Sequence, residues 1–471
     1  MNHTTEQTII LNHVQNNTGL TLIDSVAGSG KTTMLVAIAK AIKHSNGLML
    51  CYNKSIAMEA SRKFPKTTSC STTHSLAYQA IVKKYKLKLG SFSYRDITER
   101  IKYEEKLDII DTIKQFCLSK HLTFDEFTTK YSVSRKLVPY IKQYLDKMHQ
   151  GKIECTHDFY LKLFHIYLAS GDVQYAPFDF IMLDEAGDTN EVTLEIFKLL
   201  PSERKIAVGD PFQNIYTFNH TINCFDVLRN EGTLFRMSQS FRVSDYLAPR
   251  IEKFCRTYLD PDMTFKGVPI TDTTIKTRGY LTRTNGALIS HMIDLIQQKT
   301  SFGLVRKPQE IFRLPLMLCS LKYQGFITEP AYKHLQVDID DWYESSDLKD
   351  RYKSPLSYIS SLYNEDMQLT QAIRLIQRHG KSTILQTYEQ ARHHLKTNQP
   401  YVLATAHSCK GLEFDEVTLA PDMNDSIAEI LLSLKMGREF SSLTVPEQES
   451  LNLYYVACTR AAKVLNNATH L

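Results

Sequence analysis

The sequence predicts an α/β protein built on two parallel sheets, each interrupted by a mainly helical insertion. Three observations predict it. Short apolar, β-branched runs recur along the chain, and most are followed by helix-compatible stretches, the alternation expected of parallel sheets. Two long segments, about 79–155 and 296–395, break that rhythm and read helix after helix before strand-type runs resume. The first strand–helix junction carries a glycine-containing loop ending in Lys-Thr. At 471 residues the chain is too long for one compact core, and length alone suggests about three domains.

Taken in order, Leu20-Thr-Leu-Ile-Asp is the first strand, Ser25-Val-Ala-Gly-Ser-Gly-Lys-Thr-Thr the loop, and Met34-Leu-Val-Ala-Ile-Ala-Lys-Ala-Ile the helix that follows. Strand, glycine loop, lysine, hydroxyl and helix form the layout of a phosphate-binding P-loop. Glycines let backbone N–H groups turn inward on a polyphosphate. Lys31 can reach the outer phosphates and Thr32 can hold Mg²⁺. Leu48-Met-Leu-Cys-Tyr is the next strand. The first insertion follows at 79–155, with Lys83, Lys84, Lys86, Lys88, Tyr140 and Tyr144 expected on polar faces.

Phe180-Ile-Met-Leu is a buried strand ending in Asp184-Glu185. Adjacent carboxylates there suit an ATPase: Asp184 for Mg²⁺ and Glu185 to polarise the attacking water. An acidic helix start would read the same way in isolation. Lys205-Ile-Ala-Val leads into Gly209-Asp-Pro-Phe-Gln213, where Gln213 can sense the γ-phosphate, although Gly-Asp-Pro is also a common turn. Tyr280-Leu-Thr and Tyr401-Val-Leu-Ala-Thr open the second alternating set, and the second insertion at 296–395 holds the single tryptophan, Trp342. The expected domains are a first α/β domain from 1–78 and 156–236 with the insertion 79–155, and a second from 237–295 and 396–471 with the insertion 296–395.

Composition excludes several classes. Apolar content of 43% and charged content of 23% are those of a globular protein. A net charge of +5 permits nucleic-acid binding without arguing for it. Nine scattered cysteines, with no Cys-x-x-Cys, suit buried thiols in a reducing compartment and neither a disulfide frame nor a zinc site. No secretory signal and no apolar run of about 18–20 residues is visible, so no membrane partner is expected and the location is cytoplasmic, or nuclear in a eukaryote.

Together the segments resemble the superfamily 1 DNA helicases of the UvrD/Rep/PcrA type, and within them the F-box DNA helicase branch. The carrying segments begin with Ala27-Gly-Ser-Gly-Lys-Thr, Tyr52-Asn-Lys-Ser-Ile-Ala and Thr72-Thr-His-Ser-Leu-Ala-Tyr. They continue with Cys155-Thr-His-Asp-Phe-Tyr-Leu-Lys-Leu, Asp184-Glu-Ala-Gly-Asp and Gly209-Asp-Pro-Phe-Gln-Asn-Ile-Tyr-Thr-Phe. Gln239-Ser-Phe-Arg, His407-Ser-Cys-Lys-Gly-Leu-Glu-Phe and Tyr455-Val-Ala-Cys-Thr-Arg complete the series in the family order.

The resemblance implies two RecA-like domains gripping ATP and Mg²⁺. Ala27, Gly28, Ser29, Gly30, Lys31, Thr32 and Thr33 would cradle the phosphates, and Thr32 with Asp184 would hold Mg²⁺. Gln7 would read the adenine, Phe241 stack on it, and Glu413 contact the ribose. Lys31, Glu185, Gln213, Arg242 and Arg460 would serve catalysis, the two arginines from the second domain touching the γ-phosphate. Tyr52, Thr72, His74, Phe218 and His407 fall at nucleic-acid positions. Stacking is favoured for Phe218; Tyr52 can stack or pack in the core, and His74 can contact a phosphate or cap a helix.

The implied activity is ATP-dependent 3′→5′ movement on single-stranded DNA, with 3′-tailed duplex as substrate and roles in repair or recombination. The chain would act alone or with a separate effector, such as a nuclease or recombination protein. Two rivals stand beside it: a DNA-stimulated ATPase that strips proteins without processive unwinding, and a nucleotide-gated binding module. Three positions depart from the family pattern: Ser25 for the first small residue of the loop, Gly187 for a glutamine, and Asn219 for an arginine after the aromatic.

Overall fold

The computed structural model describes residues 3–42, 46–215, 220–321, 332, 335–364, 366–392 and 399–471. The chain divides into two compact units, Met1–Ser238 and Gln239–Leu471.

In the first unit the strands are β1 (Gly19–Ser25), β2 (Gly47–Leu50), β3 (Thr68–Ser71), β4 (Phe180–Leu183), β5 (Thr189–Asn190), β6 (Arg204–Gly209), β7 (Thr221–Ile222) and β8 (Thr233–Met237). Six form one sheet in the order β3-β2-β4-β6-β1-β8, and every pairing is parallel. β5 and β7 make a short antiparallel pair. Parallel strands need both faces covered, which is why β2 and β4 are buried at every position and read as unbroken apolar runs.

The pleat assigns alternate residues to two cores. Leu22, Leu48, Leu50, Ile181, Leu183 and Ala207 face one. Ile23, Met49, Phe180, Met182, Ile206 and Val208 face the other. The second core is closed by the helices Thr5–Asn16, Lys31–Ala41 and Lys54–Lys63. The first is closed by helix His157–Ser170 and by the inserted helices Tyr103–Leu118, Phe124–Lys130 and Val138–His149. The inserted helices therefore share a core with the sheet.

One expectation is corrected here. Tyr144 does not lie on a polar face: it is 1% exposed, accepts a hydrogen bond from Thr98 N–H and donates one to Glu99. Its ring fills the interior while its hydroxyl is satisfied, so it behaves as a core residue with a polar tip. Tyr140 is half-buried.

The second unit contains β9 (Gln239–Ser244), β10 (Lys266–Val268), β11 (Arg278–Thr282), β12 (Gly303–Leu304), β13 (Tyr401–Thr405), β14 (Phe414–Leu419) and β15 (Ala461–Asn466). Five form a parallel sheet in the order β12-β13-β11-β14-β15, and β9 pairs with β10. β12 lies inside the span 296–395 that was expected to be mainly helical. Two residues, Gly303 and Leu304, are too few to show a strand period, and only pairing with Val402 and Leu403 reveals them. The other elements described in that span are helices, from Pro308–Ile311 to Met367–Ala391, the last helix broken at Gly380 (φ 75°, ψ 160°). All nine cysteines are free thiols, and eight are buried. Among the described residues no helix is long and apolar enough to cross a membrane.

Candidate nucleotide site and nucleic-acid interface

Three neighbouring strands of the first sheet, β4, β6 and β1, release their chemistry-bearing loops at their carboxyl ends, the edge where open α/β sheets bind ligands. After β1, Gly28 (φ 76°) and Gly30 (φ 80°) take left-handed conformations that a side chain resists. Gly30 caps the helix Lys31–Ala41. Among the described residues the N–H groups of Gly28, Gly30, Lys31 and Thr32 meet no acceptor, and the buried Ser29 hydroxyl has no partner. Unpaired donors at a helix start fit an anion.

Ser25, the departure at the first small position, has a local use. It is 1% exposed, and its Oγ donates to Gly209 O at 2.8 Å, tying the root of the loop to the end of β6.

After β4 the two carboxylates part. Asp184 is 8% exposed and its Oδ1 accepts from the N–H of Glu185 at 3.0 Å. Glu185 is held left-handed at φ 52°, ψ 41°, a backbone state that costs about 1–3 kcal/mol for a residue with a Cβ. That turn carries its carboxylate to the P-loop: Lys31 Nζ stands 3.2 Å from Glu185 Oε2. Burial depresses the Lys31 ammonium, but Glu185, Asp210 and Asp184 outweigh it and hold Lys31 above its usual value. A lysine facing three carboxylates stays charged at neutral pH.

After β6, Asp210 is 1% exposed and holds two groups: Phe212 N–H on Oδ1 at 3.1 Å and Gln213 Nε2 on Oδ2 at 2.8 Å. Sequence reasoning missed Asp210 because Gly-Asp-Pro reads as a turn; the signal was its place directly after a buried strand.

Gly187 also gains a physical account. A Cβ on it would stand 2.4 Å from Asp210 O, and one on Gly209 would stand 2.6 Å from Gly187 N. The Glu185 and Gln213 loops are packed backbone against backbone, closer than a side chain at 187 allows.

The hydroxyl of Thr32, which is exposed, and the carboxylate of Asp184 are hard oxygen donors and suit Mg²⁺. Among the described residues no group of three or more His, Cys, Asp or Glu gathers as a metal site. Mg²⁺ commonly uses one or two carboxylates with substrate phosphates, so the donor set fits.

The remaining expected residues fall as follows. Gln7 is 6% exposed and closes a capping box: its Oε1 accepts from Thr4 N–H at 3.1 Å. Tyr52 is 53% exposed, so it is not a core residue; burial and the charges of Asp188 and Glu185 raise its pKa. Thr72 is buried and caps the helix Thr73–Ala77 through Ser75 N–H at 3.0 Å. The half-buried His74 packs edge-on against Tyr160 and His157, with centroids 5.7 Å and 6.3 Å away, and burial lowers its pKa. Phe218, like the departure at Asn219, lies outside the described residues.

In the second unit Phe241 is 52% exposed on β9. Arg242 and Glu413 meet each other, Nε to Oε2 at 2.9 Å. His407 Nε2 lies 3.5 Å from Glu449 Oε1. Arg460 is 1% exposed; its guanidinium donates to Val456 O at 3.0 Å and Leu412 O at 3.3 Å, which ties the loop before Glu413 to the helix Val445–Cys458.

Residues 7–219 match the AAA domain family. Over 98% of its length the chain is 27% identical to F-box DNA helicase 1 of Gallus gallus and 24% identical to F-box DNA helicase protein 1 of Schizosaccharomyces pombe. It covers 48% and 57% of those proteins, so it spans about half the length of the curated relatives it matches.

Proposed function

We propose, from the premise that this chain is of the superfamily 1, F-box-DNA-helicase-like type, that it is an ATP-hydrolysing DNA helicase moving 3′→5′ on single-stranded DNA. The observation that carries the reading is the Lys31–Glu185 pair at 3.2 Å, which joins the P-loop to the acidic strand end across 154 positions of sequence.

In turnover, phosphate oxygens take the place of Glu185 on Lys31 and release the carboxylate to orient water. Water attacks the γ-phosphorus, the bond to the ADP oxygen breaks, and ADP and phosphate leave. Lys31 offsets charge gathering on the phosphoryl oxygens. Bound at Thr32 and Asp184, Mg²⁺ would neutralise phosphate charge. Gln213, held by Asp210, reports the γ-phosphate to the polar loop. Gln7 binds the nucleoside in this reading. The exposed ring of Tyr52 supports base stacking, worth about 1–3 kcal/mol per base.

The test is ATP turnover with and without single-stranded DNA and RNA, followed by displacement of 3′-tailed and 5′-tailed duplexes. DNA-stimulated turnover that Lys31→Ala loses by at least about 100-fold is expected, with displacement on the 3′-tailed duplex alone. Equal turnover by wild type and Lys31→Ala would sink the enzyme reading. The packing at Gly187 favours one second reading, a DNA-stimulated ATPase that removes proteins without unwinding, because no side chain at 187 relays phosphate state. Protein removal without strand displacement would select it.

A further inference from the structure

The segment Cys155-Thr-His-Asp-Phe-Tyr-Leu-Lys-Leu and the lysine run at 83–88 have no part in the nucleotide site, yet the fold lays them side by side. The helix Thr73–Ala77 passes directly into a π-helix, Tyr78–Lys83. Leu87 N–H returns to Val82 O at 3.2 Å, and Lys86 ends the segment left-handed at φ 53°. π-helical turns are rare and gather at functional sites.

This segment runs alongside the helix His157–Ser170 in matched steps of aromatic contacts. His74 meets His157 and Tyr160, Tyr78 meets Tyr160 with centroids 6.4 Å apart, and Tyr85 meets Tyr167 at 5.6 Å. Ile81 and Val82 face the core, whereas Tyr78 is 37% and Tyr85 44% exposed. Lys83, Lys84, Lys86 and Lys88 are all exposed, and among the described residues none of them pairs with a carboxylate. Lys84 Nζ lies 5.4 Å from the centre of the Tyr85 ring. Flat rings interleaved with unpaired ammonium groups complement one polymer chemistry, bases alternating with phosphates.

We propose that this ladder is a second single-stranded DNA tract, which takes the strand from His74 onto the face carrying Tyr78, Tyr85 and the four lysines. The proposal rests on the nucleic-acid reading above. Stacking on exposed rings favours a single strand, because a duplex keeps its base faces covered.

The test measures affinities of the full chain for oligothymidylates of about 8 and about 24 nucleotides, lengths that bracket the usual site sizes. Wild type is expected to bind the longer strand more tightly. Tyr85→Ala is expected to cut that gain by about fivefold or more. A variant with alanine at all four lysines is expected to flatten the salt dependence of long-strand binding by about 3 in log–log slope. Thermal melting checks that both variants fold. If both keep the wild-type ratio of long- to short-strand affinity, the tract is overturned. Failure of wild type to bind either strand removes the nucleic-acid reading itself, which is a distinguishable result.

Discussion

Each unit has a strand–turn–helix at the carboxyl edge of its sheet, and the two turns treat negative charge in opposite ways. In the first, β1 leads through left-handed glycines into the helix Lys31–Ala41, and among the described residues the N–H groups of Gly28, Gly30, Lys31 and Thr32 stay open. In the second, β11 leads into the helix Asn285–Gln297, and the fold supplies its own anion. Asp422 accepts Arg283 N–H at 3.1 Å, Thr284 N–H at 3.0 Å and the Thr284 hydroxyl at 3.0 Å. Burial raises the pKa of Asp422 in spite of those bonds. One turn keeps open donors that fit an anion, and the other is closed by a side chain of the fold itself.

The largest expected effect breaks the open side. Glu185→Gln removes the carboxylate but keeps its shape, and ATP turnover should fall by about 10²–10⁴ with nucleotide binding retained. Single-turnover hydrolysis measures it; wild-type rates would remove Glu185 from the chemistry.

Next comes a contrast between two lysine cations. Carboxylates hold Lys31 up, whereas burial pushes Lys162 down to about 8, against a donated bond to Ser119 O at 2.8 Å. Between pH 8 and 10.5 the unfolded chain carries the proton that folded Lys162 lacks. Wild type should therefore gain about 3 kcal/mol over Lys162→Met as pH rises through that window, and nothing below it. Urea unfolding at pH 7 and pH 10 checks the sign.

On the closed side, Asp422→Ala strands two N–H groups and a hydroxyl. Stability should drop by about 1–3 kcal/mol, seen as a lower melting temperature of the second unit. If stability is unchanged, the carboxylate does not close that turn. The smallest effect sharpens the open side. Gly187→Gln brings in the glutamine that the resemblance leads one to expect, where a Cβ would press on Asp210 O at 2.4 Å. We expect turnover to fall about tenfold, the equivalent of roughly 1.4 kcal/mol, and a rise would show that the two loops have room.

Much of this was legible in residue order. The glycine loop and the buried strands followed from local pattern, because phosphate loops and parallel strands each demand particular residues at short range. Tyr144, Asp210 and β12 were not legible. A tyrosine's hydroxyl makes it look polar until a partner such as Thr98 is found, an aspartate after glycine looks like a turn, and a two-residue strand has no period.

By itself the sequence determined the fold class and the positions of lysine, carboxylates and glycines, since backbone conformation and strand burial are local demands on residue type. Only the tertiary structure decided which charges meet. It turned Glu185 toward Lys31, closed Arg242 on Glu413, sank Arg460 among carbonyls and sealed one helix start with Asp422. Those choices depend on contacts between residues far apart in the chain, and an electrostatic energy is set by distance in space.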